Sequence, residues 1–232
     1  PTLGDMFDAY RYQNMLSSPR SQERNIYGNL FQTFVTRPVD LFSEATYDLF
    51  KHPLNPMARD MKFKDIPVYM RNVFTGFPNA VDAFKEAFRR GRVSEKIVEK
   101  SALTAIEAAR RAKIPKALTV VPRFMESVDK FFGSLIAGGE KSRLMARGVP
   151  EESAMEQAAI LSEKYLFREK IGKAHDERIF VNALDGLGKI ALNARNIPTI
   201  GKVWGWFVPF ITTPVNIAKE MVKRSPLGFI GK

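Results

Sequence analysis

Two histidines, His52 and His175, are the chain's whole supply of imidazole, and cysteine is absent. The missing thiols remove disulfides, cysteine nucleophiles and thiolate metal sites together. His52 stands beside Pro53, and His175 opens a polar His-Asp-Glu run. Neither has the HExxH spacing that sets two imidazoles on one helix face, and neither brings the partners that a catalytic triad requires. Gly186-Leu187-Gly188-Lys189-Ile190-Ala191 fits the GxGxxA form of a dinucleotide loop. That loop needs a strand before it, whereas Ile179 to Leu184 reads as helix. Gly133 and Gly138, ahead of Glu140-Lys141-Ser142, resemble a phosphate loop, but Gly139 and Glu140 stand where the lysine should follow. The carboxylates Glu44, Asp48, Asp82, Glu86 and Glu163 have basic or polar neighbours at helical spacing, as on solvated faces, and nothing selects two of them as an acid–base pair. The expectation is a chain with no catalytic residues, no cofactor or metal site and no small-molecule substrate.

Charge points to a different kind of partner. With 36 basic against 25 acidic residues the chain carries +11, which favours nucleic acid, anionic lipid or an acidic protein face. The excess is dispersed in short clusters. Arg89, Arg90 and Arg92, with Arg110, Arg111 and Lys113, are the candidate contacts to DNA or an acidic partner. The most apolar stretch, Val203 to Ile211, contains Pro209 and is far short of the roughly 20 residues that span a bilayer. Its Trp204, Trp206, Phe207 and Phe210 suit a helix junction, a partner surface or a membrane interface, with the junction preferred.

The elements that must position these residues read as helices almost throughout. Phe77, Val81, Phe84 and Phe88 make one apolar stripe; Val98, Ala102, Ala105, Ala109 and Ala112 make a second of small residues. Phe124, Val128, Phe131 and Leu135 form a third stripe, and Ala154, Ala158, Leu161 and Tyr165 a fourth. Thr119 to Val121 is the best strand candidate and is too short to outweigh its flanks. Pro78 or Asn79 starts the Phe-striped helix, and Ser94 caps the alanine one. Gly138-Gly139 is expected to stop a helix, and Gly148-Val149-Pro150 to end one and open the next, with Glu151 and Glu152 in its first turn. Lys51 to Pro67 holds three prolines and reads as a long connection. The expected fold is therefore all-α, an irregular bundle of short to medium helices with Pro/Gly junctions: an elongated N-terminal arm (1–50), a connection (51–67) and a larger bundle (68–232). Pro rather than Met at position 1 leads us to expect a processed product or part of a longer chain, and the opening lacks a signal-peptide pattern.

The stretch "NMLSSPRSQERNIYGN" reads as a helix–helix junction. Tyr10 to Leu16 finishes one helix; Ser18 caps the next, with Pro19 at its first position. Ile26, Leu30 and Phe34 form an apolar stripe, and Ser21, Asn25 and Asn29 an adjacent polar one. Asn25 and Asn29 are placed to bond backbone groups freed at the break, or those of a neighbouring helix, and Gly28, mid-helix, is tolerated if another backbone packs there. Asn14, Ser18, Pro19, Arg24, Asn25, Gly28 and Asn29 are thus the candidate structural junction.

Asn14-Met15-Leu16-Ser17-Ser18-Pro19 with Arg24-Asn25-Ile26 and Gly28-Asn29 form one motif, "NMLSSP…RN..GN". A second, "PF..TP.NI", lies in Val208-Pro209-Phe210-Ile211-Thr212-Thr213-Pro214-Val215-Asn216-Ile217, followed by Arg224-Ser225-Pro226-Leu227-Gly228. In order and separation they resemble a helical domain of the large polyvalent and internal virion proteins of tailed phages. Ser21-Gln22-Glu23 departs from the Thr-His-Ile type of filling expected there. The resemblance implies a part carried in the capsid, packing on itself and on core or portal proteins. It also implies delivery with the genome into the host periplasm or inner membrane, in the company of packaged DNA and then of host membrane. The alternatives are a nucleic-acid-binding helical domain, or a non-catalytic part of a larger virion enzyme such as a cell-wall lytic transglycosylase.

Overall fold

The computed structural model describes residues 18–90, 119–166, 179–194 and 212–223, with the single residues 3, 6, 7, 10, 11, 14, 113 and 197. All regular structure among them is helical, so the all-α expectation holds. The chain forms two compact units, Pro1–Arg92 with Ala105–Leu166, and Val93–Thr104 with Phe167–Lys232. The expected arm and the first half of the expected bundle therefore belong to one unit, and the connection does not separate them.

In the first unit, α1 (Pro19–Phe31) runs without interruption through a π-turn (Gln32–Thr36) into α2 (Arg37–Lys51). The π-turn has a local cause. Pro38 lacks an N–H and its ring collides with the carbonyl four residues back, so the helix widens one turn earlier and Arg37 N–H bonds the Gln32 carbonyl. The widening has a long-range consequence. Asn29, Thr33, Arg37, Leu41 and Ala45 are all buried at every fourth residue. In a plain α-helix each four-residue step overshoots a full turn by about 40°, and such a stripe would wind off its face. One residue of slack, about 100°, holds it in place.

α2 ends at Lys51, and residues 52–64 connect it to α3 (Asp65–Thr75). This connection is shorter than expected, because Pro67 lies inside the first turn of α3. It is also tied down. Arg59 Nε donates to the His52 carbonyl (3.0 Å), Asp48 Oδ2 accepts from Met61 N (2.6 Å), and Met61 joins the core. α4 (Phe77–Arg90) follows, then α5 (Val120–Ala146), then α6 (Glu151–Tyr165).

α5 is the axis against which α1, α3, α4 and α6 pack. Its 27 residues begin at Val120, with Thr119 as N-cap where a strand was conceivable, and run through Gly138-Gly139, where a stop was expected. Gly139 is there for proximity: a methyl at that position would lie 2.6 Å from two ring carbons of buried Tyr69 on α3. The true end comes at Gly148, whose left-handed φ of 86° lets Val149 N–H return to the Leu144 carbonyl (3.1 Å). Glu151 and Glu152 open α6 as expected. The phenylalanine stripes meet edge to face, Phe77 on Phe131 (5.0 Å) and Phe84 on Phe124 (5.9 Å). On α6, Ala154, Ala158 and Tyr165 face inward.

The second unit has α7 (Ile179–Ala194) packed on α8 (Thr212–Lys223). Gly186 to Ala191 lie inside α7, so the GxGxxA match is helix. The second half of the PF..TP.NI motif opens α8 and buries Asn216. The alanine stripe and the Ser94 cap fall outside the described residues.

Candidate functional site

The densest polar chemistry in the first unit is buried where α2, α5 and α6 meet. Glu140 is wholly enclosed between two arginines, a carboxylate oxygen to each. Arg37 Nε donates to Oε1, and Arg143 Nε donates to Oε2 at 2.8 Å. Arg37 Nη1 also donates to Tyr165 Oη (3.0 Å) and to Glu44 Oε1 (3.3 Å). Tyr165 Oη in turn donates to Asp40 Oδ2 in a 2.7 Å bond. Met61, from the connection, closes the far side with its sulfur 3.6 Å from Arg143 Nη1.

Helical spacing explains why these residues meet. Arg37, Asp40 and Glu44 project to one side of α2 at i, i+3 and i+7, and Glu140 and Arg143 share a face of α5 at i, i+3. Ion pairs this deep lose hydration, and the paired charges and the further hydrogen bonds to Tyr165 and Glu44 offset that cost. Burial opposes the Arg37 charge, but the hydrogen bond to Glu140 and the nearby Tyr165, Glu140 and Glu44 outweigh it and raise its pKa. Burial also pushes the Tyr165 hydroxyl well above its ordinary value, with Asp40 adding to the shift.

A second polar thread runs from the π-turn. In the widened register the Thr33 carbonyl looks to residue 38, which is proline and has no N–H to offer. Tyr69 Oη supplies the donor at 3.3 Å. Burial and the Glu140 charge raise the Tyr69 pKa, so the hydroxyl keeps its proton. One turn earlier, Asn29 Nδ2 donates to Asp129 Oδ1 on α5 (2.7 Å), and Thr33 Oγ1 donates to the Asn29 carbonyl (2.8 Å).

These findings revise the junction. Asn29 is the buried member of the motif, while in the expected apolar stripe Leu30 is exposed and Ile26 and Phe34 are half-buried against the core, so both stripes contribute to the inner face. Asn25 is half-buried and only 3.5 Å from Asn29 Nδ2. Ser18 occupies the cap position without a side-chain bond; its carbonyl takes Ser21 N–H at 2.9 Å, and Pro19 is the first helical residue. Gly28 meets nothing within 4 Å where a methyl would stand, so no backbone packs there. Arg24 is exposed, as is Asn14, which is helical.

The other candidates separate. Arg89 is exposed beside Asp82, Lys85 and Glu86, a surface of mixed sign. Lys113 is exposed with a left-handed φ of 55°. The Arg90 side chain, and Arg92, Arg110, Arg111, Trp204, Trp206, Phe207 and Phe210, lie outside the described residues, as does His175. Ile26, Val81, Phe84, Val128, Phe131 and Phe132 line an open, wholly apolar cleft of about 270 Å³. In the second unit Lys219 and Asp185 form a buried pair at 2.9 Å. Among the described residues no cluster of three or more His, Asp or Glu is set to hold a metal, and no helix is long and apolar enough to cross a membrane.

Arg37, Asp40, Tyr69, Glu140 and Arg143 were not foreseen as a group. Their one sequence signal is the four-residue repeat Asn29, Thr33, Arg37, Leu41, Ala45, which puts polar and apolar residues on a single face. Chemically the cluster is a closed lock: both Glu140 oxygens are taken, and the acidic hydroxyls hold their protons. The chain matches no family model, no curated protein and no solved structure.

Proposed function

We propose that this chain is a non-enzymatic helical assembly module of a tailed-phage internal virion protein. In that role it packs against copies of itself and against core or portal partners, and it helps deliver the genome across the host envelope. The observation that carries the reading is the inward use of charge in the first unit. Arg37, Glu140, Arg143, Tyr165 and Asp40 bind one another and hold three helices in fixed register, so the unit offers partners a rigid shape. The order and separation of the two motifs supply the phage context, and the +11 balance suits company with packaged DNA. Helices without disulfides also suit passage through a narrow tail and refolding beyond it.

The experiment is to locate the chain in purified particles by mass spectrometry and cryo-electron microscopy of labelled virions. Density on the portal axis before infection, lost with the genome afterwards, is the expected result. Absence of the chain from particles overturns the reading.

A further inference from the structure

The continuous helix from Pro19 to Lys51 has a second face. Tyr27, Phe31, Val35, Val39 and Phe42 follow nearly the same four-residue repeat as the buried stripe, but two positions out of phase and so on the opposite side. All five are exposed, and Leu30 beside them is too. From residue 27 to residue 42, about 22 Å of helix, every exposed position is uncharged. The two charged residues in that span are turned away: Arg37 is buried, and Asp40 is held by Tyr165. In a chain of +11, where charge is otherwise dispersed over the surface, this is an unusual gap. Six aliphatic and aromatic side chains roughly half exposed leave on the order of 600 Å² of apolar-rich surface, at the upper limit of what a monomer ordinarily shows.

We infer that this face is the contact between two copies of the chain, paired antiparallel about a two-fold axis near Val35. The inference deepens the assembly reading and rests on it. Two such faces together bury on the order of 1,200 Å², which reaches the size of a specific interface. Like-charged copies repel, so they associate at low cost through a long surface that carries no charge. The ends of the stripe decide the direction. Arg20 and Arg24, with Glu23 between them, are exposed at its N-terminal end and leave it net positive, while the C-terminal end carries Phe50, 79% exposed, ahead of exposed Lys51. Parallel pairing sets the arginines of both copies against each other. Antiparallel pairing about Val35 sets Arg20, fifteen residues before the axis, against Phe50, fifteen after it, where a guanidinium is favoured over an aromatic face.

The test is the solution mass of the 232-residue chain by light scattering and sedimentation, from about 1 to 100 µM. The expected result is a concentration-dependent rise from 26.3 kDa to twice that mass. Val35→Glu and, independently, Val39→Lys should each weaken association at least tenfold, while at concentrations where the parent is monomeric the helical circular dichroism and melting point stay as in the parent. Because the chain has no cysteine, direction is read by single-cysteine variants under air oxidation. Val35→Cys should link to itself, and Arg20→Cys should link to Phe50→Cys but not to itself. A chain that is monomeric throughout, or one whose association ignores both charge variants, overturns the inference. Self-linkage of Arg20→Cys overturns the antiparallel geometry. Flotation of a monomeric chain with phosphatidylcholine–phosphatidylglycerol vesicles, lost in Val35→Glu, overturns it in favour of a lipid surface. A monomer found on the portal axis sinks this inference alone, whereas a dimer absent from particles sinks the functional reading alone.

Discussion

The long helix from Pro19 to Lys51 inverts the usual division of side chains. Its inner face buries Asn29, Thr33 and Arg37 alongside Leu41 and Ala45, while its outer face shows Tyr27, Phe31, Val35 and Val39 to solvent. The difference lies in what each face must do. An apolar contact is non-directional and tolerates a shift along the helix, whereas hydrogen-bonded charges fit one register only. The inner face therefore fixes α2 against α5 and α6 at a defined position. The outer face is left apolar, available to whatever covers it.

Substitutions can break that contrast, beginning with the largest expected effect. Glu140→Ala leaves two buried arginines without their shared carboxylate, and a broken buried pair costs about 3–5 kcal/mol. For a unit of this size the melting point should fall by roughly 10–15 °C in calorimetry. Gly139→Ala comes next. Its methyl meets the wholly buried Tyr69 ring, and the expected loss in chemical denaturation is about 1–3 kcal/mol.

Alkaline pH offers a third way to loosen the inner face. Tyr69 and Tyr165 both have folded pKa values raised above their ordinary value near 10. Above that pH the unfolded chain releases these protons while the folded chain retains them. Their contribution is therefore complete below about pH 10 and is lost as pH rises beyond it, by about 1.4 kcal/mol for each tyrosine per pH unit. Tyr69→Phe should flatten the decline of stability between pH 10 and 11.5 relative to the parent, as read by urea titrations at each pH. An unchanged slope would show that Tyr69 ionises as freely in the folded chain as in the unfolded one.

Smaller effects sharpen the comparison from outside. Gly28→Ala adds a methyl into open space on an exposed helical turn and should stabilise by about 0.5–1 kcal/mol, seen as a modest rise in melting point. Val35→Glu should leave the stability of the monomer, compared at concentrations where the parent is undimerised, within about 0.5 kcal/mol, since the outer face supports no part of the core. Were that substitution instead to unfold the chain, the outer face would be packing surface of the chain's own.

The sequence carried the architecture far better than the site. Phe77, Val81, Phe84 and Phe88, and likewise Phe124, Val128 and Leu135, lie on helices as their periodicity requires, because apolar stripes at helical spacing have one efficient way to be buried. Gly148-Val149-Pro150 ends and opens helices as written, since a left-handed glycine and a proline at the N-cap act locally. Gly138-Gly139 misled for the complementary reason: glycine is also what allows helices to touch, and only the Tyr69 ring tells the two uses apart. Asn29 and Leu30 exchanged expected roles because the Pro38-driven π-turn rephases the helix, and its effect depends on the partner chosen by Arg37.

By itself, then, the sequence determined that this chain is helical, free of thiol chemistry and strongly basic. These are consequences of composition and short-range spacing, which each residue carries with it. Only the tertiary structure decided that Arg37 reaches Glu140 at a sequence separation of 103, that Tyr165 lies between Arg37 and Asp40, and that Tyr69 supplies the donor Pro38 lacks. Burial is a property of the assembled helices: it turns a charged residue from solvated surface into a lock, and no window of sequence contains both halves of that lock.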